Sequence, residues 1–312
     1  MTSNDGPAPG NQTTAAGLWL GGAAVLCWSF ASTLIFLGAT ALGPWPFVGL
    51  ASLLGGTVQL GAWRWHRGSF RTALRLPWRL WALPVPCFVA YGLLWPAALV
   101  GATPREVFGV NLINYLWPVL TVLLGAWWVP GARLTPRTIG ATALSLVGLG
   151  WAGLSELPAT AVPAGAEGAT PPFRLLPYVL AFAAAVSWAM YSASLARWRA
   201  WAGDYATSPL GFLLTGLIAA GLSAGAGAAF GHAGARGLWL TFAYGVGPLA
   251  AGYLLWEIAL ARTRIQSLSL LGAVTPLLST LVLCGVLRTW PGVGVVGGAV
   301  LVSAGVVLSV RR

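Results

Sequence analysis

Gly17-Leu-Trp-Leu-Gly-Gly-Ala-Ala-Val-Leu-Cys-Trp28-Ser-Phe-Ala-Ser32-Thr-Leu-Ile-Phe-Leu37 contains no charged residue. A helix rises about 1.5 Å per residue, and the hydrocarbon core of a bilayer is about 30 Å thick, so about 20 apolar residues cross it. The stretch 17–37 fits that length. Nine more of similar length follow, at 44–63, 79–101, 105–127, 136–154, 175–197, 208–230, 238–261, 265–287 and 290–310. The expected fold class is all-α integral membrane, with ten transmembrane helices and loops too short to hold a domain.

Composition agrees. Of the 312 residues 57% are hydrophobic and 7% charged, whereas a soluble domain carries about 25% charge. A net charge of +11 would suggest nucleic acid in a soluble chain, but here the charges fall between the apolar stretches, so no nucleic-acid partner is expected. All 17 basic residues are arginine, in keeping with a coding bias. Residues 1–16 hold no arginine and lack the basic region of a signal peptide, so the first span is expected to be retained behind a disordered cytoplasmic segment. Cys27, Cys87 and Cys284 lie within spans and have neither metal-ligand nor disulfide spacing. No cofactor is expected.

Placing the N-terminus inside puts thirteen arginines on the cytoplasmic side: Arg64, Arg67, Arg71, Arg75, Arg79, Arg133, Arg137, Arg197, Arg199, Arg262, Arg264, Arg311 and Arg312. Only Arg105, Arg174, Arg236 and Arg288 fall outside. Basic loops resist translocation, so this split predicts both termini in the cytoplasm.

The Pro-, Ala- and Gly-rich segment 155–174 reads as an external linker dividing the chain into repeats at 17–154 and 175–310. Three matches link the halves: Trp28-Ser-Phe-Ala-Ser32 with Trp188-Ala-Met-Tyr-Ser192, Leu-Leu-Trp95 with Leu-Leu-Trp256, and Pro118-Val-Leu-Thr121 with Pro276-Leu-Leu-Ser279. Their offsets are 160, 161 and 158. Five spans is an odd number, so the second half enters the membrane from the opposite side. Such inverted repeats build alternating access around a site near the midplane.

Most of the 18 tryptophans sit near span ends, where amphipathic rings anchor at the headgroups. Trp28, Trp95, Trp117, Trp188 and Trp256 lie inside spans, and four of them pair through the repeat. They fit either helix packing or an aromatic-walled cavity. In span 4, Asn111, Asn114, Tyr115 and Pro118 share one helical face, extended by Thr121. The shift of 158 gives Ser269, Gly272, Pro276 and Ser279 in span 9. Amides are costly in lipid, so these faces look inward, as cavity lining or as interhelical glue. Pro118 and Pro276 free backbone carbonyls and are candidate hinges. Glu257, on one face with Tyr253 and Trp256, is the one acid well inside a span. It suits a proton carrier, an amine contact or a structural ion pair. Gly221-Leu-Ser223-Ala-Gly225 matches a hydrolase nucleophile pattern but lies in a small-residue span, and the histidines, His66 and His232, are in loops. Helix packing explains it better, and no enzyme activity is expected.

These features resemble the drug/metabolite transporter superfamily of EamA-like proteins. Asn114-Tyr115-Leu116-Trp117-Pro118 is similar to the span-4 signature of YddG-type bacterial aromatic amino-acid exporters, and Trp188 with Tyr191 and Thr275 with Pro276 also look similar. The resemblance implies a basket of ten helices in the bacterial inner membrane, a cavity between spans 1, 3, 4, 6, 8 and 9, and export of aromatic and other neutral amino acids. On that basis the expected substrate-binding residues are Trp28, Ser32, Tyr91, Trp95, Asn111, Asn114, Tyr115, Trp188, Tyr191, Ser192, Tyr253 and Trp256. Glu257 is the candidate coupling or modulating residue, standing where the resemblance implies a neutral amide. The expected partners are a small-molecule substrate and the lipid bilayer, with the monomer as the working unit. The alternative is efflux of small apolar or cationic drugs or metabolites, with Glu257 meeting the cation.

Overall fold

The computed structural model describes residues 14–67, 75–104, 106–128, 134–156, 174–198, 207–226, 234–262, 271–272 and 274–310. Most of the expected N-terminal segment, most of the linker, Ser269 and the side chains of Glu257 and both histidines lie outside the described residues.

Among the described residues the chain forms ten helical rods. These are α1 (Ala15–Leu42), α2 (Pro44–Arg67), α3 (Trp78–Gly101), α4 (Glu106–Trp128), α5 (Pro136–Glu156), α6 (Leu175–Arg197), α7 (Thr207–Gly225), α8 (235–262), α9 (Thr275–Leu287) and α10 (Val293–Val310). The expected spans map onto them in order. Six rods carry a described stretch long and apolar enough to cross a bilayer: α1, α3, α4, α6, α7 and α8. In α5, α9 and α10 the apolar described stretches are shorter, at Ile139–Ala152, Thr275–Leu287 and Val293–Leu308. For α9 the reason is that 263–270 and 273 are not described. Gln59 and the basic last turn dilute the apolar character of α2.

Local chemistry sets the rod ends. Thr14 caps α1, its Oγ1 accepting the Gly17 N–H at 3.1 Å. The turn into α2 is made by Gly43 at φ +86°, a conformation open to glycine, followed by Pro44 in the first turn of the helix. Thr103 and Glu106 form a capping box at the start of α4: Thr103 N–H donates to Glu106 Oε2 at 2.8 Å and Glu106 N–H to Thr103 Oγ1 at 3.3 Å.

Several rods are broken near their middles. In α1 the break falls at Phe30, just after Ser29 turns its hydroxyl back to the Val25 carbonyl at 2.8 Å. Such back-bonding bends helices. In α4, Tyr115 and Leu116 make three-residue turns onto Leu112 and Ile113 between the pieces Glu106–Asn114 and Trp117–Trp128. In α8, Gly245–Gly252 is a π-helical segment containing Pro248. Proline lacks the N–H an α-ladder needs, and a π segment accommodates that loss.

Four close pairs build the bundle: α1 with α8, α3 with α6, α2 with α7, and α5 with α10. In addition α4 packs on α6, α9 on α1, α7 on α3 and α2 on the middle of α8. The α5–α10 pair is closest where Gly148 faces Gly298: a Cβ on Gly298 would stand 2.5 Å from the Gly148 carbonyl oxygen. Rod ends meet in defined pairs. The Thr14 N–H and hydroxyl donate to the Arg262 carbonyl at 3.2 and 3.0 Å. Leu42 lies against Gly237, Gly101 against Pro177, and Ser155 against Gly294. Arg197 donates to the Trp128 carbonyl and lies over the Trp128 ring.

Candidate functional site

An unbroken network of aromatic rings occupies the middle of the bundle. Trp188 of α6 is its hub, meeting Tyr91 at 4.7 Å, Tyr191 at 5.2 Å, Tyr253 at 5.8 Å, Phe88 at 5.9 Å and Trp117 at 6.0 Å between centroids. Tyr91 stacks on Trp95 at 5.4 Å. On the other flank Trp28 of α1 meets Trp256 at 5.2 Å and Tyr253 edge-on at 5.4 Å. Phe212 joins Phe88 and Tyr253 at 4.7 and 5.1 Å. Most contacts are edge-to-face or tilted, the arrangement that ring quadrupoles favour. Trp28, Tyr91, Trp188, Tyr253 and Trp256 are half-buried, so parts of their faces remain open.

The π segment holds one wall in place. Trp28 Nε1–H donates to the Pro248 carbonyl at 3.2 Å, and Gln59 Nε2–H donates to the next carbonyl, Leu249, at 2.6 Å. Ser208 of α7 donates to Gln59 Oε1 at 3.2 Å. Two helices thus tie side chains to the irregular backbone of α8, and a third braces one of them through Ser208, which suits irregular backbone at membrane depth.

Beside the rings lies a closed polar triangle. Ser32 Oγ–H donates to Asn111 Oδ1 at 2.5 Å, Asn111 Nδ2–H donates to Ser279 Oγ at 3.2 Å, and the two serine hydroxyls are 3.2 Å apart. Since the Ser32 proton is committed to Asn111, Ser279 supplies the proton of the third bond. All three residues are fully buried, and they join α1, α4 and α9. The Tyr115 phenol interacts with both serine hydroxyls.

Asn114, one turn along from Asn111, has a different fate. Its side chain contacts the Tyr91 phenol, yet its Oδ1 has no hydrogen-bond partner although the residue is 1% exposed. Trp95 Nε1–H, on the ring that stacks on Tyr91, is also buried without a partner. Orphan groups of this kind cost free energy, and each calls for an explanation.

The expected site residues therefore divide. Trp28, Tyr91, Trp95, Trp188, Tyr191, Tyr253 and Trp256 share the ring network, with Asn114 at its edge. Ser32, Asn111 and Tyr115 gather at the triangle. Ser192 and Thr121 turn their hydroxyls to their own helices, onto the carbonyls of Trp188 at 2.9 Å and Trp117 at 2.6 Å. Pro118 and Pro276 each stand second in a helical piece, and the Pro118 piece follows the break in α4. Glu257 is on α8 next to Trp256. Phe88 and Phe212 belong to the network without having been expected, since a phenylalanine in an apolar span carries no distinguishing signal. Among the described residues no group of His, Cys, Asp and Glu could hold a metal ion.

The chain is 30% identical over 269 residues to the aromatic amino acid exporter YddG of Ancylobacter novellus, covering 85% of this chain and 86% of that protein. A solved crystal structure of a protein superposes with a TM-score of 0.68 at 25% identity, over 94% of this chain and 96% of that one. No protein-family profile matches.

Proposed function

The chain belongs to the drug/metabolite transporter superfamily, as a multi-pass transporter of small molecules in the bacterial inner membrane, and from that premise we propose that it exports aromatic and other neutral amino acids by alternating access. The observation that carries the cargo is the pair of unpartnered groups on two residues that both contact Tyr91. Asn114 Oδ1 can only accept a hydrogen bond, and Trp95 Nε1–H can only donate one. An ammonium would satisfy the first and a carboxylate the second, while the half-open rings of Trp188, Tyr253 and Trp28 take an aromatic side chain. The name of the Ancylobacter relative supports the same cargo. The residues proposed to bind it are Trp28, Tyr91, Trp95, Asn114, Trp188, Tyr191, Tyr253 and Trp256, in a monomeric working unit.

The proposed frame is two inverted five-helix repeats, 17–154 and 175–310, with both termini in the cytoplasm. Packing supports it. Exchanging each rod n with rod n+5 turns the α1–α8 pair into α6–α3, α4–α6 into α9–α1, and α7–α3 into α2–α8. It leaves α2–α7 and α5–α10 as they are. The meeting ends also agree with ten alternating crossings. Thr14 with Arg262 and Arg197 with Trp128 are pairs that this topology assigns to the cytoplasmic side. Leu42 with Gly237, Gly101 with Pro177 and Ser155 with Gly294 are assigned to the outer side.

Efflux of small apolar or cationic compounds is the second reading, and one observation favours it. The described wall is mostly ring surface, which accepts an apolar solute without any polar end groups. A cation would need Glu257. Counterflow of radiolabelled phenylalanine into proteoliposomes, run beside a quaternary ammonium dye and a neutral aromatic hydrocarbon, separates the readings. Saturable phenylalanine counterflow competed by tryptophan is expected. Dye or hydrocarbon flux without phenylalanine flux would overturn the amino-acid cargo, and a dye flux abolished by Glu257→Gln would assign the cation to that carboxylate.

A further inference from the structure

The Ser32–Asn111–Ser279 triangle lies on one side of the rings. Ser32 is one turn beyond Trp28 toward the α2 end of α1. Asn111 is in the first piece of α4, ahead of Trp117, and Ser279 is in the second turn of α9. In the topology proposed above, all three positions are on the outer side of the rings. There the triangle draws α1 and α4 of the first repeat onto α9 of the second, with no exposed surface left on any of its residues.

The repeat offsets give each member a counterpart. Ser32 corresponds to Ser192 and Ser279 to Thr121; the counterpart of Asn111 lies outside the described residues. Thr121 is one turn past Trp117 and Ser192 one turn past Trp188, and these two rings are in contact. Each residue thus follows one of two touching rings on the packed helices α4 and α6, and the proposed topology puts both on the inner side of the rings. Symmetry would have them meet as Ser32 and Ser279 do. Instead each hydroxyl is bonded to a carbonyl of its own helix. Pseudo-equivalent pairs on the two sides of one site are thus in opposite states, joined outside and separate inside.

We infer that Ser32, Asn111 and Ser279 form the outer latch of the transport cycle, closed in this structure, and that Thr121 and Ser192 form the inner latch, open in it. The inference rests on the inverted-repeat topology proposed above. The chemistry suits a reversible device. Hydrogen bonds between polar side chains inside membranes are individually weak. A serine or threonine leaving an interhelical bond has its own i−4 carbonyl to return to, so its hydroxyl is stranded in neither state. For the four hydroxyls, closing one latch as the other opens exchanges like bonds for like bonds. The two states then stay close in free energy, as an equilibrium between access states requires.

The test uses the full chain with Cys27, Cys87 and Cys284 replaced by serine, reconstituted in liposomes. One variant carries Ser32→Cys with Ser279→Cys, a second Thr121→Cys with Ser192→Cys, and a third all four. Oxidation of the outer pair should lower phenylalanine counterflow about tenfold or more relative to the same sample reduced, with recovery on reduction. Unchanged flux in the oxidised, cross-linked protein would leave the triangle as static glue and overturn the latch. In the four-cysteine variant the two cross-links should exclude one another on a single chain, read by mass after proteolysis. Molecules carrying both, or an inner pair that never cross-links, would overturn the exchange. This readout needs no cargo, so a wrong substrate shows as absent flux in the reduced protein while exclusivity remains readable. Ser279→Ala added to the inner pair should speed its cross-linking about threefold or more, by weakening the outer state. An unaltered rate would count against the coupling.

Discussion

Trp28 of α1 and Pro248 of α8 are joined by a hydrogen bond of 3.2 Å from the indole N–H to the proline carbonyl, across 220 residues of sequence. It anchors the π segment at the point where a proline interrupts the helical ladder. It also orients the ring that meets Tyr253 and Trp256.

Two substitutions separate these roles. Trp28→Phe keeps a ring and loses the donor, with an expected cost of about 1 kcal/mol. Trp28→Ala removes the ring contacts too, with an expected cost of about 2–3 kcal/mol, less than for a fully buried ring. Unfolding in detergent measures both. Equal losses would mean that the hydrogen bond, rather than ring packing, dominates.

Asn111 and Asn114 should respond in opposite ways. Asn111→Ala leaves Ser32 and Ser279 without their common partner, so stability falls by about 1–2 kcal/mol. Asn114→Ala removes an orphan acceptor together with a contact to Tyr91, and these offset to within about 0.5 kcal/mol. Its phenylalanine counterflow should still fall by about tenfold at matched expression, the loss of one charge-assisted hydrogen bond. Normal flux in Asn114→Ala would remove this residue from the site.

Gly298→Val tests the α5–α10 seam. A Cβ there would stand 2.5 Å from the Gly148 carbonyl oxygen and 2.8 Å from the Ala152 Cβ. Overpacking should cost about 1–3 kcal/mol. Flux per folded molecule should be retained, because neither rod contributes to the ring network. Thermal unfolding and counterflow on the same preparation check both halves of the statement.

Topology is open to labelling. Single cysteines at Gly68 and Ala164, in a chain lacking the native three, meet an impermeant thiol reagent on intact cells. Ala164→Cys should label and Gly68→Cys should be spared. The reverse pattern would invert the assignment of both termini to the cytoplasm, and with it which latch is the outer one.

The sequence by itself determined the solvent and the number of rods, and it is the source of the proposed repeat. Runs of about 20 apolar residues suit only a bilayer, and the matches around Trp28, Trp95 and Pro118 survive as local composition whatever the packing. The five tryptophans inside spans were legible for the same reason, since their place along each span does not depend on the packing. Tertiary structure decided which polar groups are consumed and which are left over. Asn111 and Asn114 share a face of α4 and look alike in sequence. Ser32 and Ser279, arriving from α1 and α9, give both ends of the first amide a partner, while an oxygen of the second is left bare. Likewise Trp28 meets Trp256, while its counterpart Trp188 takes Tyr91 as its nearest described ring. Helical periodicity specifies a face, but a hydrogen bond needs two groups within about 3 Å, and that proximity exists only once distant helices have packed.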